Sequence, residues 1–167
     1  ATMSEQASDD NLDLRIRKFW PRATGKIAVT SPRTKKYNCF AWALSDVARQ
    51  WVPGGDPIKT HWPPGAEREL SLGAIIRSLQ LVGYQTLVEV RDNAASLSTI
   101  QYKEGEEYIA LYVDQDNDVT HAARRLSGGR WTSKLGEWED IEHENLECLE
   151  GGEYGRVGAI LEKTGDR

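Results

Sequence analysis

The stretch NCFAWALSDVARQW, residues 38–51, carries the most information about the fold. Apolar residues recur along it at helical spacing from Phe40 to Trp51, so we predict an amphipathic helix with one face against the core. Asn38 is a favourable N-cap, and the Pro-Gly-Gly sequence at 53–55 ends the helix. Cys39 therefore occupies the first helical position.

The rest of the chain adds one more helix and a sheet. A helix is predicted from about Leu72 to Leu81, capped by Ser71, and Gly83 ends it. Alternating or continuous apolar runs then predict strands at 85–90, 107–113, 119–126, 130–135 and 155–162. The polar stretch that carries His143 and Cys148 is expected to be partly helical. The sequence thus predicts an α+β fold, with the Cys39 helix packed on an antiparallel sheet.

Length and composition favour one domain. The chain has 167 residues, of which 39% are apolar, enough for a single core. Residues 1–11 are polar without apolar periodicity, so we expect a disordered tail there and one domain from residue 12 to residue 167.

Charge and hydropathy exclude several classes of partner. The net charge is -5, and acidic and basic residues are interspersed, whereas a nucleic-acid binder needs clustered Lys and Arg. No run approaches the roughly 20 apolar residues of a membrane span, and no export segment opens the chain. We expect a soluble, cytoplasmic protein that binds neither nucleic acid nor membrane; delivery as an effector stays open.

The two cysteines, Cys39 and Cys148, are too few for a disulfide framework. One bridge between them is conceivable, but reduced thiols, one reactive and one packed, fit a chain with its own core. At the start of a helix, the dipole and the free backbone N–H groups favour the thiolate of Cys39. The alternative is that Cys39 is a small buried residue of the core.

His121 supplies the base that such a thiol needs. It opens a predicted strand just after a polar turn, at an edge of the sheet where its side chain can face the Cys39 helix. Nucleophilic catalysis requires a nucleophile, a base and a third group that orients the base. For that third role we rank His143 and Ser133 first and Asp140 next, with Glu137 also within the region.

Two short motifs resemble the papain-like superfamily in its compact bacterial forms. Residues 38–42, NCFAW, resemble the start of the catalytic helix in NlpC/P60-type and CHAP-type cysteine hydrolases, and residues 120–123, THAA, resemble their His-bearing strand. The resemblance implies a papain-like fold with Cys39 as nucleophile and His121 as base. The runs at 37–44 and 131–136 are also similar to an uncharacterised bacterial family.

The sequence departs from papain itself. The Cys-Gly-Ser/Ala-Cys-Trp signature is absent, and the oxyanion glutamine expected six residues before the nucleophile falls on Arg33. A true papain peptidase is therefore not expected.

Aromatic residues are the candidate substrate contacts. Trp42, Trp62 and Trp131 lie within or beside the segments expected to frame a cleft, together with Asn38, and aromatic clefts suit glycans, peptide backbones and apolar side chains. No His or Cys spacing matches a metal-ligand pair and no glycine-rich nucleotide motif is present, so we expect neither metal nor cofactor.

The sequence therefore predicts a cysteine hydrolase or acyltransferase acting on an amide bond in a peptide, a protein or the cell wall. Peptidase, amidase, deamidase and transglutaminase share this chemistry. The alternative is a non-enzymatic binding module in which the aromatic cleft holds a partner and Cys39 is structural.

Overall fold

The structure is a computed structural model that describes residues 12–90, 97 and 99–164. The tail predicted at residues 1–11 lies outside the described residues. Residues 12–19 form a helix, α1, and two further helices follow, α2 (Cys39–Ala43) and α3 (Leu72–Gln80). Short 3-10 helices span Pro21–Ala23 and Glu147–Leu149.

Nine strands are described. They are β1 (Ile27–Ser31), β2 (Gln50–Trp51), β3 (Thr60–His61), β4 (Gln85–Glu89), β5 (Glu107–Val113), β6 (Val119–Arg125), β7 (Trp131–Lys134), β8 (Asp140–His143) and β9 (Arg156–Lys163). Seven form one sheet in the order β1-β8-β7-β6-β5-β9-β4, and every neighbouring pair in it is antiparallel. The remaining two, β2 and β3, form a small parallel pair. The expected α+β class with an antiparallel sheet is confirmed.

The sheet has a hydrophobic cluster on each face. β5 shows the division, because Ile109 and Leu111 point into the cluster with α2 and α3, whereas Tyr108 and Tyr112 point into the cluster with α1 and Trp20. These four β5 side chains are at most 1% exposed. The continuous apolar run that predicted a central strand therefore has partners on both sides. We call the two surfaces the α2 face and the α1 face.

The helix that begins at Cys39 is much shorter than the sequence pattern predicts. It ends at Ala43, and Ser45 has a left-handed φ of 62°. The Asp46 carboxylate then accepts hydrogen bonds from the backbone N–H of Ala48 and from Trp51 Nε1. A short acidic side chain that binds nearby donors competes with helix continuation, so the predicted extension to residue 51 was wrong.

Two strands of the seven-stranded sheet appear where the sequence predicted none. β1 covers Ile27–Ser31, and β8 covers Asp140–His143 within the stretch expected to be partly helical. The two pair with each other at the edge of the sheet, with Ile27 opposite His143. Their pairing joins residues more than a hundred positions apart, so no local sequence pattern announces it. This correction matters because it makes His143 a strand residue beside β7.

Gly155 brings the start of β9 close to the end of β5. Its φ is +79°, and a Cβ there would lie 2.1 Å from the carbonyl oxygen of Val113. Gly105 has a similar φ of +82° with nothing within 4 Å of its Cβ position, so it is a matched control.

We expect Gly105→Ala to cost about 1 kcal/mol of unfolding free energy from the left-handed conformation alone. Gly155→Ala should cost roughly 1–3 kcal/mol more, since backbone must move. Urea unfolding of both variants measures the difference, and equal losses would show that the contact with Val113 relaxes freely.

Candidate functional site

Cys39 is held at the start of α2 by its neighbour Asn38. The Asn38 side chain accepts hydrogen bonds from the backbone N–H of Ala41 and of Trp51, and donates one to the Trp51 carbonyl. α2 packs over β6 and β7, and the Cys39 side chain is partly buried against the α2-face cluster. The predicted N-cap residue, Asn38, therefore also connects α2 to β2 through hydrogen bonds.

The surroundings of the thiol act on its pKa in opposite directions. Burial is the largest influence and raises the pKa of Cys39, while backbone N–H groups of Ala122, Phe40 and Cys39 itself, together with the charge of Lys134, lower it. With only five residues, α2 contributes little dipole. Because the net effect raises the pKa, the thiol is protonated at neutral pH and needs a base to react.

His121 lies on β6 and is fully buried. Its ring stacks on Tyr154 with centroids 3.9 Å apart and planes 7° from parallel. The preceding residue, Thr120, lies at a register shift between β5 and β6, and its hydroxyl donates to the carbonyl oxygen of Tyr154 at 2.6 Å. The irregular start of β6 therefore positions both the His121 ring and Tyr154, on which the ring stacks.

A chain of hydrogen bonds runs from His121 through β7 to β8. His121 Nε2 lies 2.9 Å from Ser133 Oγ, Ser133 Oγ lies 2.8 Å from His143 Nε2, and His143 Nδ1 lies 2.9 Å from the carbonyl oxygen of Asn145. His121, Ser133 and His143 are each 0% exposed. The structure thus brings together the proposed base and both first-ranked orienting residues, in series.

The direction of each hydrogen bond in this chain follows from its last acceptor. A carbonyl oxygen only accepts, so His143 Nδ1 carries a proton, and the Nε2 of the neutral ring accepts from the Ser133 hydroxyl. Ser133 Oγ then accepts from His121 Nε2. In a neutral imidazole the other nitrogen is bare, so His121 Nδ1 presents a lone pair. It is buried and has no hydrogen-bond partner among the described residues.

Both histidines favour the neutral form. Burial and the neighbouring His143 lower the pKa of His121 well below its usual value. Burial also lowers the pKa of His143 to about 4, against the opposing effect of its bond to Asn145. Neutral rings at pH 7 are what the hydrogen-bond directions above require.

Cys39 and His121 lie at β6 on opposite faces of the sheet. Strand alternation directs His121 to the α1 face with Tyr112 and Tyr154, whereas α2 lies on the other face. β6 pairs with β7 only from Ala123 onward, and the N–H of Ala122, next to His121, reaches the thiol. Within the described part of the chain no hydrogen bond joins the thiol to the His121 ring.

The four proposed substrate contacts do not gather around one cleft. Asn38 is occupied in capping, and Trp131 is a core residue with 4% exposure. Trp42 donates from Nε1 to Thr132 and stacks on Tyr37. Of the four, Trp62 borders a small pocket of about 100 Å³, formed with residues of the 52–68 loop.

A larger pocket, of about 300 Å³, opens beside Tyr154 on the α1 face. Its walls are mainly aromatic, and two carboxylates and the β7–β8 turn complete the lining: Phe19, Trp20, Trp138, Leu135, Glu137 and Glu153. Tyr154 therefore stacks on His121 and also lines the pocket. The sequence pattern did not single out Tyr154, because stacking between residues 33 positions apart has no local signature.

Other ionisable residues near the site differ from expectation. Asp140, considered as an orienter of His121, points to the α2 face and accepts a hydrogen bond from the Tyr37 hydroxyl instead. Lys134, which by default would be a solvated strand residue, is 0% exposed. Glu137 is exposed in the β7–β8 turn and lies 3.9 Å from Lys35.

Metal-binding clusters and membrane-spanning helices are both absent from the residues that the structure describes. These residues contain no group of three or more His, Cys, Asp or Glu side chains able to hold a metal ion. Their helices include none long and apolar enough to cross a membrane.

Comparison with known proteins identifies a family but no activity. No curated protein and no solved structure matches the chain. A family described as "Domain of unknown function (DUF7689)" matches residues 28–162, from β1 into β9, and includes both Cys39 and the His121 hydrogen-bond chain. This match covers most of the sequence, so the chain belongs to the DUF7689 domain family.

Proposed function

We propose that this protein is a cysteine hydrolase or acyltransferase acting on an amide bond, with Cys39 as nucleophile and His121 as base on a papain-like variant of the α+β fold. The observation that carries the proposal is the bare, buried Nδ1 of His121. A lone pair without a partner inside a protein is costly unless a proton donor uses it. The proposal assigns this role to the Cys39 thiol, whose pKa is lowered by the backbone N–H of Ala122, the residue next to His121.

The proposed reaction begins from a neutral thiol and a neutral imidazole. As sulfur forms its bond to the substrate carbonyl carbon, the thiol proton moves to His121 Nδ1, and the carbonyl oxygen becomes an oxyanion. The backbone N–H of Cys39 and a neighbouring donor such as that of Ala122 stabilise this oxyanion. The step requires the Cys39 side chain to turn toward Nδ1, a contact that catalytic sites often make only with substrate bound.

The intermediate then collapses with loss of the amine. The carbon–nitrogen bond breaks, and the amine leaves with the proton from His121 Nδ1, so the enzyme holds a thioester on Cys39. Water or a second amine attacks the thioester, giving up its proton to His121, and the thiol is restored. Water gives hydrolysis and an amine gives transfer, so peptides, proteins and cell-wall amides are all suitable substrates.

Ser133 and His143 hold His121 in the reactive tautomer. The two hydrogen bonds at 2.9 and 2.8 Å keep the proton of neutral His121 on Nε2 and leave Nδ1 free. Both residues act through His121, so their proposed role is positioning.

A second candidate is a binding module without catalysis. The aromatic pocket beside Tyr154 favours it, because about 300 Å³ lined by aromatic rings and two carboxylates suits a peptide or sugar. In that case Cys39 is only a packing residue, and its thiol has no special reactivity.

Native thiol labelling distinguishes the two candidates. We expect iodoacetamide at pH 7 to modify Cys39 at least about tenfold faster than Cys148, which is 2% exposed and donates to the Asn145 carbonyl. Mass spectrometry of the peptides gives both rates, with Cys39→Ser as the control. Labelling of Cys39 only after unfolding would favour the binding module, whereas fast labelling justifies a screen for amine release from amide substrates.

A further inference from the structure

Lys134 is a buried cation that has no role in the reaction steps proposed above. It lies on β7, next to Ser133, and alternation directs its side chain to the α2 face, opposite to the His121 chain. The ammonium donates to the Trp138 carbonyl and lies 5.3 Å from the centre of the Tyr37 ring. An ammonium with 0% exposure loses its hydration, which proteins rarely tolerate without a compensating interaction.

The surroundings of Lys134 compensate its charge only in part. Asp140 faces it in register on β8, but one carboxylate oxygen accepts the Tyr37 hydroxyl, and Oδ1 has no hydrogen-bond partner among the described residues. Glu139, also near, is bound by Arg15 at 2.9 and 3.0 Å. Among the residues that the structure describes, no ion pair joins a carboxylate directly to Lys134.

Cys39 is a further group on which this charge acts. Tyr37 precedes Cys39 by two residues, and α2 packs directly on β7, so the ammonium and the thiol share the α2 face. Burial is the largest influence on Lys134 and lowers its pKa, whereas Asp140, Glu139 and a Cys39 thiolate each raise it. In return, the charge of Lys134 lowers the pKa of Cys39.

The hydrogen-bond chain that begins at His121 contains no charged group. Its members are a hydroxyl and a second imidazole, which orient His121 but carry no negative charge to stabilise an imidazolium. A resting thiolate–imidazolium pair is therefore not favoured by this chain.

We propose that Lys134 is a positioning residue for the Cys39 chemistry, and that its buried ammonium stabilises the negative charge that develops on sulfur when the thiol loses its proton. This inference rests on the proposed function in that Cys39 is the nucleophile. It adds a source of thiolate stabilisation that does not pass through His121.

Other ionisable groups surround the thiol and contribute to any titration of Cys39. They come from every neighbouring element, namely His121 and Arg124 on β6, Lys134 on β7, Glu139 and Asp140 at β8, Glu137 in the turn, Tyr37 before α2 and Tyr154 before β9. Lys134 is the cation among them whose charge lowers the pKa of Cys39, whereas His121 is neutral at pH 7. Removing it should therefore move the titration in one direction.

The test is the pH dependence of Cys39 alkylation in Lys134→Met and Lys134→Gln. Methionine keeps the volume and glutamine keeps a donor for the Trp138 carbonyl, while both remove the charge. We expect the midpoint of the rate profile to rise by about one pH unit, and the rate at pH 7 to fall about tenfold. Lys134→Arg should restore most of the rate, which a purely structural role would not predict. An unchanged midpoint in either folded neutral variant overturns the inference.

A reciprocal measurement avoids any change at Lys134. Coupling between two sites is mutual, so Cys39→Ala should lower the pKa of Lys134, followed by NMR of lysine labelled at Cε, by the same amount that Lys134 lowers that of Cys39. An unchanged Lys134 titration also overturns the inference. Failure of the proposed function would appear differently, as a Cys39 rate that does not depend on His121.

Discussion

His121→Gln is expected to slow the alkylation of Cys39 at pH 7 by about a hundredfold, and to abolish any amide hydrolysis. A positioned general base contributes about a hundredfold to ten-thousandfold. Burial keeps the Cys39 thiol protonated, so almost all of its reactivity should depend on transfer of the proton to Nδ1. Glutamine fills much of the space and can keep the hydrogen bond to Ser133, but it offers no base.

The control for this variant is the same substitution at another histidine. His61 lies on β3 with its ring against Trp51, away from the thiol, so His61→Gln should leave the Cys39 rate within about twofold of the parent. Both rates come from one labelling experiment, with circular dichroism to show that each variant is folded. If His121→Gln and His61→Gln react alike, His121 is a buried structural residue and Cys39 is not paired with it.

Local patterns predicted the parts of the fold that local interactions determine. The helix α3 begins at Leu72 after the predicted cap, Ser71, whose side chain accepts the N–H of Ala74. β5 has the predicted bounds, Glu107–Val113. Cap chemistry and a continuous apolar run each act over a few residues, so one segment of sequence contains the whole cause.

The wrongly predicted elements depend on contacts that the helical and strand patterns do not include. α2 stops early because Asp46 binds Trp51, and because Asn38 draws the Trp51 backbone into β2. β1 and β8 exist by pairing with each other, across more than a hundred residues. The contact that ends α2 lies within a few residues but breaks the apolar pattern, whereas the contact between β1 and β8 joins segments that the sequence does not relate.

The candidate site also combines features that local sequence predicts with features that depend on tertiary contacts. The sequence predicted His121 and Ser133 from residue type and strand position and His143 from residue type; hydrogen bonds join all three, and their catalytic role stays a prediction. Their order in the series of hydrogen bonds depends on β8 lying beside β7, and the sequence did not predict β8. The buried states of Lys134 and Tyr154 depend on the packing of α2 and the irregular start of β6, so they could not be predicted.

The protein is expected to lose stability steeply as the pH falls from 7 to 5. His143 has a pKa of about 4 in the fold and about 6.5 in an unfolded chain, so the unfolded state binds protons first. Stability is therefore full above about pH 6.5 and falls as the pH approaches 4. His143 alone should account for about 2 kcal/mol between pH 7 and pH 5. His121, whose pKa is also lowered, adds to the loss in the same direction.

Urea unfolding at several pH values between 5 and 7 measures this loss, and His143→Gln isolates one contribution. The variant should be less stable than the parent at pH 7, because Ser133 and the Asn145 carbonyl lose a well-placed partner. Its stability should nevertheless depend less on pH, by about 2 kcal/mol over the range. His61→Gln, at a half-buried site, should flatten the curve less. A parent and a His143→Gln variant with parallel curves would show that the pKa of His143 is the same in the folded and unfolded chains. The fold would then not hold His143 in the neutral form, and the tautomer that leaves His121 Nδ1 bare would lose its basis.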